Sequence, residues 1–80
     1  MERSAISKIV KQVIKSEVQE VKELPEDNQR LKQDLGVDSF SNVNIVMSIE
    51  EDFGISIADA ELEDITTVGS FVDLIESKVN

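Results

Sequence analysis

Apolar residues recur along the first part of the chain at helical rather than strand spacing. From about Arg3 to Gln19, Ile6, Ile9, Val10, Val13, Ile14 and Val18 form one stripe, with Lys8, Lys11, Lys15 and Glu17 outside it. The pattern predicts an amphipathic helix with Ser4 as its N-cap. Leu24-Pro25 marks its end or the start of the next segment, because proline is excluded from helix interiors and biases the residue before it toward extended backbone. A loop then runs to about Val37, with Leu31 and Leu35 as its apolar anchors and Gly36 as its final turn. Loops of this length are uncommon in a small domain and are often functional.

The next periodic segment, Ser39 to Phe53, lies between a good N-cap, Asp38, and a good terminator, Gly54. On a wheel of about 100° per residue, Ile45, Val46, Ile49 and Phe53 share one side. Phe40, Val43 and Met47 fall nearly opposite, beside Asn44, Glu50 and Glu51. The first stripe suffices for a core, so the second is expected to meet partners; a small apolar patch rimmed by carboxylates suits transient docking. Met47 suits several partners because its side chain adapts. Asn42 is a polar residue on the core side, near its open end, with no evident role. Beyond Ile55-Ser56-Ile57, a short helix over Asp59 to Asp64 is predicted, capped by Asp59 and contributing Leu62 and Ile65. Thr67 is expected to cap a last helix with the stripe Val68, Phe71, Val72, Ile75 and Val79. The expected fold is all-α: a small four-helix bundle of three longer helices and one short one.

Composition narrows the chemistry. The 80 residues include no His or Cys, so the commonest nucleophile and base pairs are missing and the chain is not expected to be an enzyme. Disulfide and thiolate metal sites are excluded for the same reason, and the carboxylates lack the spacing of a calcium loop; no metal is expected. An apolar content of 40% is that of a globular domain, and no apolar run is long enough to span a bilayer. No membrane insertion is expected, and a cytoplasmic location is the default.

The net charge of −9 is unevenly placed: residues 1–32 carry seven Lys/Arg against six Asp/Glu, whereas residues 33–77 carry eleven Asp/Glu and no base. Such a surface disfavours nucleic acid and favours basic protein surfaces. Ser39, at a helix start just after the Gly36 turn and the Asp38 cap, is read as a covalent attachment point, the alternative being an ordinary first-turn serine. A phosphate ester there would lie near the N–H end of the helix, although Asp38 would partly oppose its charge.

The run Asp34-Leu35-Gly36-Val37-Asp38-Ser39-Phe40, followed by Glu50-Glu51-Asp52-Phe53 and Ile65-Thr66-Thr67-Val68, resembles the acyl carrier protein family. Residues 31–75 carry the likeness, and residues 1–80 are read as a single, free-standing acyl carrier domain. The resemblance implies that Ser39 receives 4′-phosphopantetheine from coenzyme A, with Asp38 beside it, and that acyl groups ride as thioesters on the arm's thiol. It implies fatty-acid biosynthesis as the pathway and docking through Phe40, Val43, Asn44, Met47, Glu50 and Glu51. It places an acyl cavity near Leu31, Leu35, Val46, Leu62, Ile65 and Phe71. The partners implied are a phosphopantetheinyl transferase and the synthases, reductases, dehydratases and acyltransferases of acyl-chain metabolism, met by a monomeric carrier.

Some residues depart from the family's common pattern. Phe40 stands where leucine is usual, Ser41 and Asn44 where acids are usual, and Ala58 where proline is frequent. Leu62 and Phe71 replace smaller side chains. A specialised carrier of polyketide, unusual lipid or aminoacyl (D-alanyl or peptidyl) groups therefore stays open beside the fatty-acid reading. An acidic helical interaction module without a prosthetic group is the alternative from another class, and an enzyme using Asp/Glu pairs a remote third.

Overall fold

The computed structural model describes residues 1–80. Four helices follow one another: α1 (Arg3–Glu17), α2 (Ser39–Phe53), α3 (Asp59–Leu62) and α4 (Val68–Val79). There is no sheet, only an isolated bridge between Arg30 and Thr67. The predicted all-α bundle of three longer helices and one short one is the observed fold.

Helix α1 packs against both α2 and α4. Its stripe supplies Ile6, Val10, Val13 and Ile14 to the core, where they meet Ile45 and Ile49 of α2 and Phe71, Val72 and Ile75 of α4. All of these except Phe71 are β-branched isoleucines or valines, whose χ1 freedom is already restricted in a helix.

Helix α1 starts at Arg3, as expected, but without the expected cap. Ser4 lies inside the first turn, and Glu2 is the N-cap residue; its carbonyl accepts from Ala5 and Ile6, both at 3.1 Å, and no side chain caps the helix. What holds this end is tertiary. Arg3 donates to Asp73 at 2.6 Å and to Glu76 at 3.0 Å on α4. The helix stops at Glu17, two residues before Gln19, because Val18 turns to extended backbone and drops its side chain into the core.

The long loop is stitched to the start of α4. Val68 N–H donates to Gln29 O at 3.0 Å and Gly69 N–H to Asp27 O at 2.8 Å, so two helix-start donors find loop carbonyls. A Cβ at residue 69 would lie 3.2 Å from Asp27 O, which explains a glycine there. Leu31 and Leu35 are buried, as expected of anchors, and Leu31 N–H donates to Thr66 O at 2.9 Å.

Asp38 caps α2 and Thr67 caps α4, each accepting a side-chain hydrogen bond from the third helical N–H, at 2.8 Å and 3.1 Å. Gly54 ends α2 in the left-handed region (φ 65°). Helix α3 is capped differently from expectation. Asp59 is its first helical residue and Ala58 its N-cap, so the cap has no side-chain acceptor. Glu61 instead reaches back to Ala58 N–H at 2.9 Å and pairs with Lys78 at 2.8 Å. A single turn is too short to persist alone; the first bond closes its start and the Lys78 pair ties it to α4.

Candidate functional site

Ser39 opens α2 on the solvent side of its cap. The cap itself is a closed exchange between Asp38 and Ser41. Asp38 Oδ1 accepts from Ser41 N–H at 2.8 Å and Ser41 Oγ at 2.9 Å, while Asp38 N–H donates to Ser41 Oγ at 3.0 Å. The backbone donor of Ser41, then its hydroxyl, holds the Asp38 carboxyl below the usual carboxylate range. The charge of Asp38 is thus committed to the helix start. Ser39 Oγ is left out of this exchange and is exposed.

This arrangement changes the meaning of Ser41. Its neutrality is not a charge lost from an outward face, since the residue is only 8% exposed and serves the cap. Of the two neutral positions noted in the sequence, only Asn44 is part of the more open surface of α2.

Around Ser39 there is room. Gly36, at φ 71°, precedes it by three residues, and a Cβ built there would meet nothing within 4 Å. To one side runs the outward stripe of α2, where Phe40 is 77%, Val43 55% and Met47 60% exposed. Asn44 is half-buried and Glu51 exposed beside them. Glu50 is more constrained, because its Oε2 accepts Ile57 N–H at 2.7 Å across the α2–α3 turn.

To the other side lies a cavity of about 460 Å³ whose wall includes Ser39 itself. Leu31, Leu62, Ile65 and Phe71 line it, together with Val37, Asn42 and Thr66, and the exposed Lys32, Gln33, Asp38 and Glu63 complete the wall. Leu35 and Val46 are not in its wall. Leu35 instead borders a more open groove of about 860 Å³ formed by the loop around residues 20–36, and Val46 is packed in the main core. Val37, Asn42 and Thr66, like the exposed polar residues of the wall, lie outside the expected lining. The helical period that placed Asn42 on the inward side of α2 was the one signal that could have found it.

The residues present suit a phosphopantetheine arm. An exposed hydroxyl at a helix start, free of the neighbouring cap, is what a phosphodiester at this atom requires. The arm's terminal thiol would supply thioester chemistry that a chain without cysteine cannot provide.

Comparison with known proteins agrees with the geometry. Residues 4–75 match the family model of the phosphopantetheine attachment site. An acyl carrier protein of Thermotoga maritima is 45% identical over 53 residues, which are 66% of this chain and 65% of that protein. The aligned part thus spans less than two thirds of that relative's length. A solved structure of a Mycobacterium tuberculosis protein assigned as an acyl carrier protein superposes with a TM-score of 0.83, at 24% identity, over 90% of this chain and 96% of that one. This last likeness concerns the fold. With its family model matched over residues 4–75, the chain belongs to the acyl carrier protein family, whose shared feature is a phosphopantetheine attachment site.

Proposed function

We propose that Ser39 is the attachment point and that the protein carries acyl groups as thioesters on the arm it bears. The observation that carries this reading is the position of one exposed hydroxyl, free of the cap beside it, between an outward apolar stripe and a lined cavity. On priming, a phosphoester forms at Ser39 Oγ as the phosphoanhydride of coenzyme A breaks; adenosine 3′,5′-bisphosphate is the leaving group and the hydroxyl proton is lost. Asp38 keeps the helix start rigid during this exchange rather than acting on the hydroxyl. The chain then performs no reaction itself; it presents, shelters and releases.

Phe40, Val43 and Met47 offer partners a shallow apolar contact, and Asn44, Glu50 and Glu51 give it a polar and acidic rim. The acids of residues 33–77 would speed encounter with basic patches on a transferase, synthase, reductase or dehydratase. The cavity beside Ser39 is the proposed shelter for an acyl chain, with Leu31, Leu62, Ile65 and Phe71 as its apolar wall. Each methylene withdrawn from water is worth about 0.8 kcal/mol, enough for a short chain to favour the interior and still be extracted.

Residues 1–80 act in this reading as one carrier domain, monomeric and cytoplasmic, serving fatty-acid biosynthesis. A specialised pathway is favoured by one observation, the polar Asn42 and Thr66 in the cavity wall. Incubation of the unmodified protein with coenzyme A and a promiscuous phosphopantetheinyl transferase should add the mass of one arm, and Ser39→Ala should add none. An unchanged mass for the wild-type protein would overturn the proposal.

A further inference from the structure

The Ser39 cavity has a polar element that nothing in a simple shelter for hydrocarbon requires. Asn42 lies one helical turn beyond Ser39, on the inward side of α2, and it lines the cavity while half-buried. Its backbone N–H is committed to Asp38 O at 2.9 Å. Its side-chain amide takes no part in the hydrogen bonds of the neighbouring cap, which Asp38 and Ser41 close between themselves. The other polar residues of the lining, Lys32, Gln33, Asp38, Ser39, Glu63 and Thr66, are all exposed, so Asn42 is its one half-buried polar side chain. The apolar lining is limited to Leu31, Val37, Leu62, Ile65 and Phe71, and Phe71 is 2% exposed, closing the floor with an aromatic ring.

An occupant entering past Asn42 would strip water from an amide that has no partner in the chain. Against a saturated hydrocarbon this loss would cancel the gain from about two buried methylenes. Against an occupant with an oxygen at the right depth, the amide exchanges one hydrogen bond for another and the loss vanishes. Asparagine offers both a donor and an acceptor, so a carbonyl and a hydroxyl are both served. A site built to hydrogen-bond an oxygen discriminates against the analogue that lacks it far better than an apolar wall discriminates by length.

We infer that Asn42 is a specificity-determining residue that selects acyl groups bearing an oxygen close to the thioester, of the β-oxo or β-hydroxy class, over fully reduced chains. The inference rests on the carrier reading above and adds the class of cargo to it. Asn42 touches the cargo and performs no chemistry on it.

The test loads butanoyl, β-hydroxybutanoyl and β-oxobutanoyl groups onto Ser39 from their coenzyme A thioesters, with a promiscuous phosphopantetheinyl transferase, and follows the Asn42 side-chain amide by NMR. The two oxygenated groups should shift the Asn42 amide signals and slow its proton exchange by roughly tenfold relative to butanoyl, the factor expected of one net hydrogen bond. Asn42→Leu should abolish the greater thermal stabilisation given by the oxygenated groups. Identical Asn42 signals in all three forms would overturn the inference. So would a shift already complete with the bare arm, which would assign the amide to the arm instead of the cargo. Loading without discrimination removes this inference alone, whereas failure to load at all removes the carrier reading and this inference together.

Discussion

Glu50 Oε2 accepts the backbone N–H of Ile57 at 2.7 Å, across the turn that ends α2. Ile55 N–H donates to Glu50 O at 3.1 Å, so one residue secures both sides of the turn. Ile57 is buried, and the turn it anchors leads into α3 and hence to Leu62 in the cavity wall. Glu50 therefore has a structural duty besides any part in docking.

Glu50→Ala should cost about 1.5–3 kcal/mol, the range for hydrogen bonds to charged groups. Amide exchange at Ile57 should accelerate more than exchange in α1. Glu50→Gln keeps an acceptor and should lose less. Urea denaturation and hydrogen exchange would check both, and equal stability of wild type and Glu50→Ala would show the bond to be dispensable.

Ser39→Ala should leave the fold untouched while removing the proposed attachment point. Its hydroxyl is exposed and outside the cap, so stability should stay within about 0.5 kcal/mol of wild type. Mass spectrometry after incubation with coenzyme A and a transferase should find no arm on this variant. By contrast, Ser41→Ala removes a cap partner and should cost about 1 kcal/mol while leaving priming possible.

The two stripes of α2 should separate cleanly by mutation. Ile49 is 0% exposed, and Ile49→Ala should destabilise by about 2–5 kcal/mol. Met47→Glu changes an exposed side chain and should keep the helical spectrum near native while weakening acyl transfer with partner enzymes. If charge steering operates, that transfer should also slow with added salt, as screening shortens the reach of the acidic surface. Equal loss of fold in Met47→Glu and Ile49→Ala would place both residues in the core.

How far the sequence reaches depends on whether a feature is local. The bounds and the two stripes of helix α2 could be read because the signals for them are local: Asp38, Gly54, and the contrast between Ile49 and Met47. What holds the start of α1 could not, since Arg3 is fixed by Asp73 and Glu76, some seventy residues away. The stitching of the long loop to α4 is equally nonlocal, and no periodicity announces that Asp27 O and Gln29 O will accept from Gly69 and Val68. The same limit applies beside Ser39. Leu35 and Val46 are apolar at suitable spacing, as are Leu31 and Phe71, but only packing decides which of them face a cavity. Glu50 looks in the sequence like its neighbour Glu51, and only the turn distinguishes them.

Acid should weaken the protein through a small set of carboxylates whose folded forms resist protonation. Asp34 is held below the ordinary range by the Arg30 guanidinium and backbone N–H, Asp38 by the Ser41 backbone and hydroxyl, and Glu61 by Lys78 and the Ala58 N–H. In each case the unfolded chain binds the proton more readily than the folded one. Their stabilisation is therefore complete above the unfolded values, near pH 4, and drains as pH falls through the depressed folded ones. All three lie at the surface, so each share is modest. Protonation also relieves the self-repulsion of a chain at net −9, which pushes the other way. Comparison with Asp38→Asn separates the two effects, because asparagine still accepts from Ser41 N–H but has no proton to bind. Urea midpoints followed from neutral pH to about pH 3 should fall less steeply for Asp38→Asn than for wild type, with similar midpoints at neutral pH. Parallel curves would mean that the cap contributes nothing to the acid limb, and that Asp34 and Glu61 carry it.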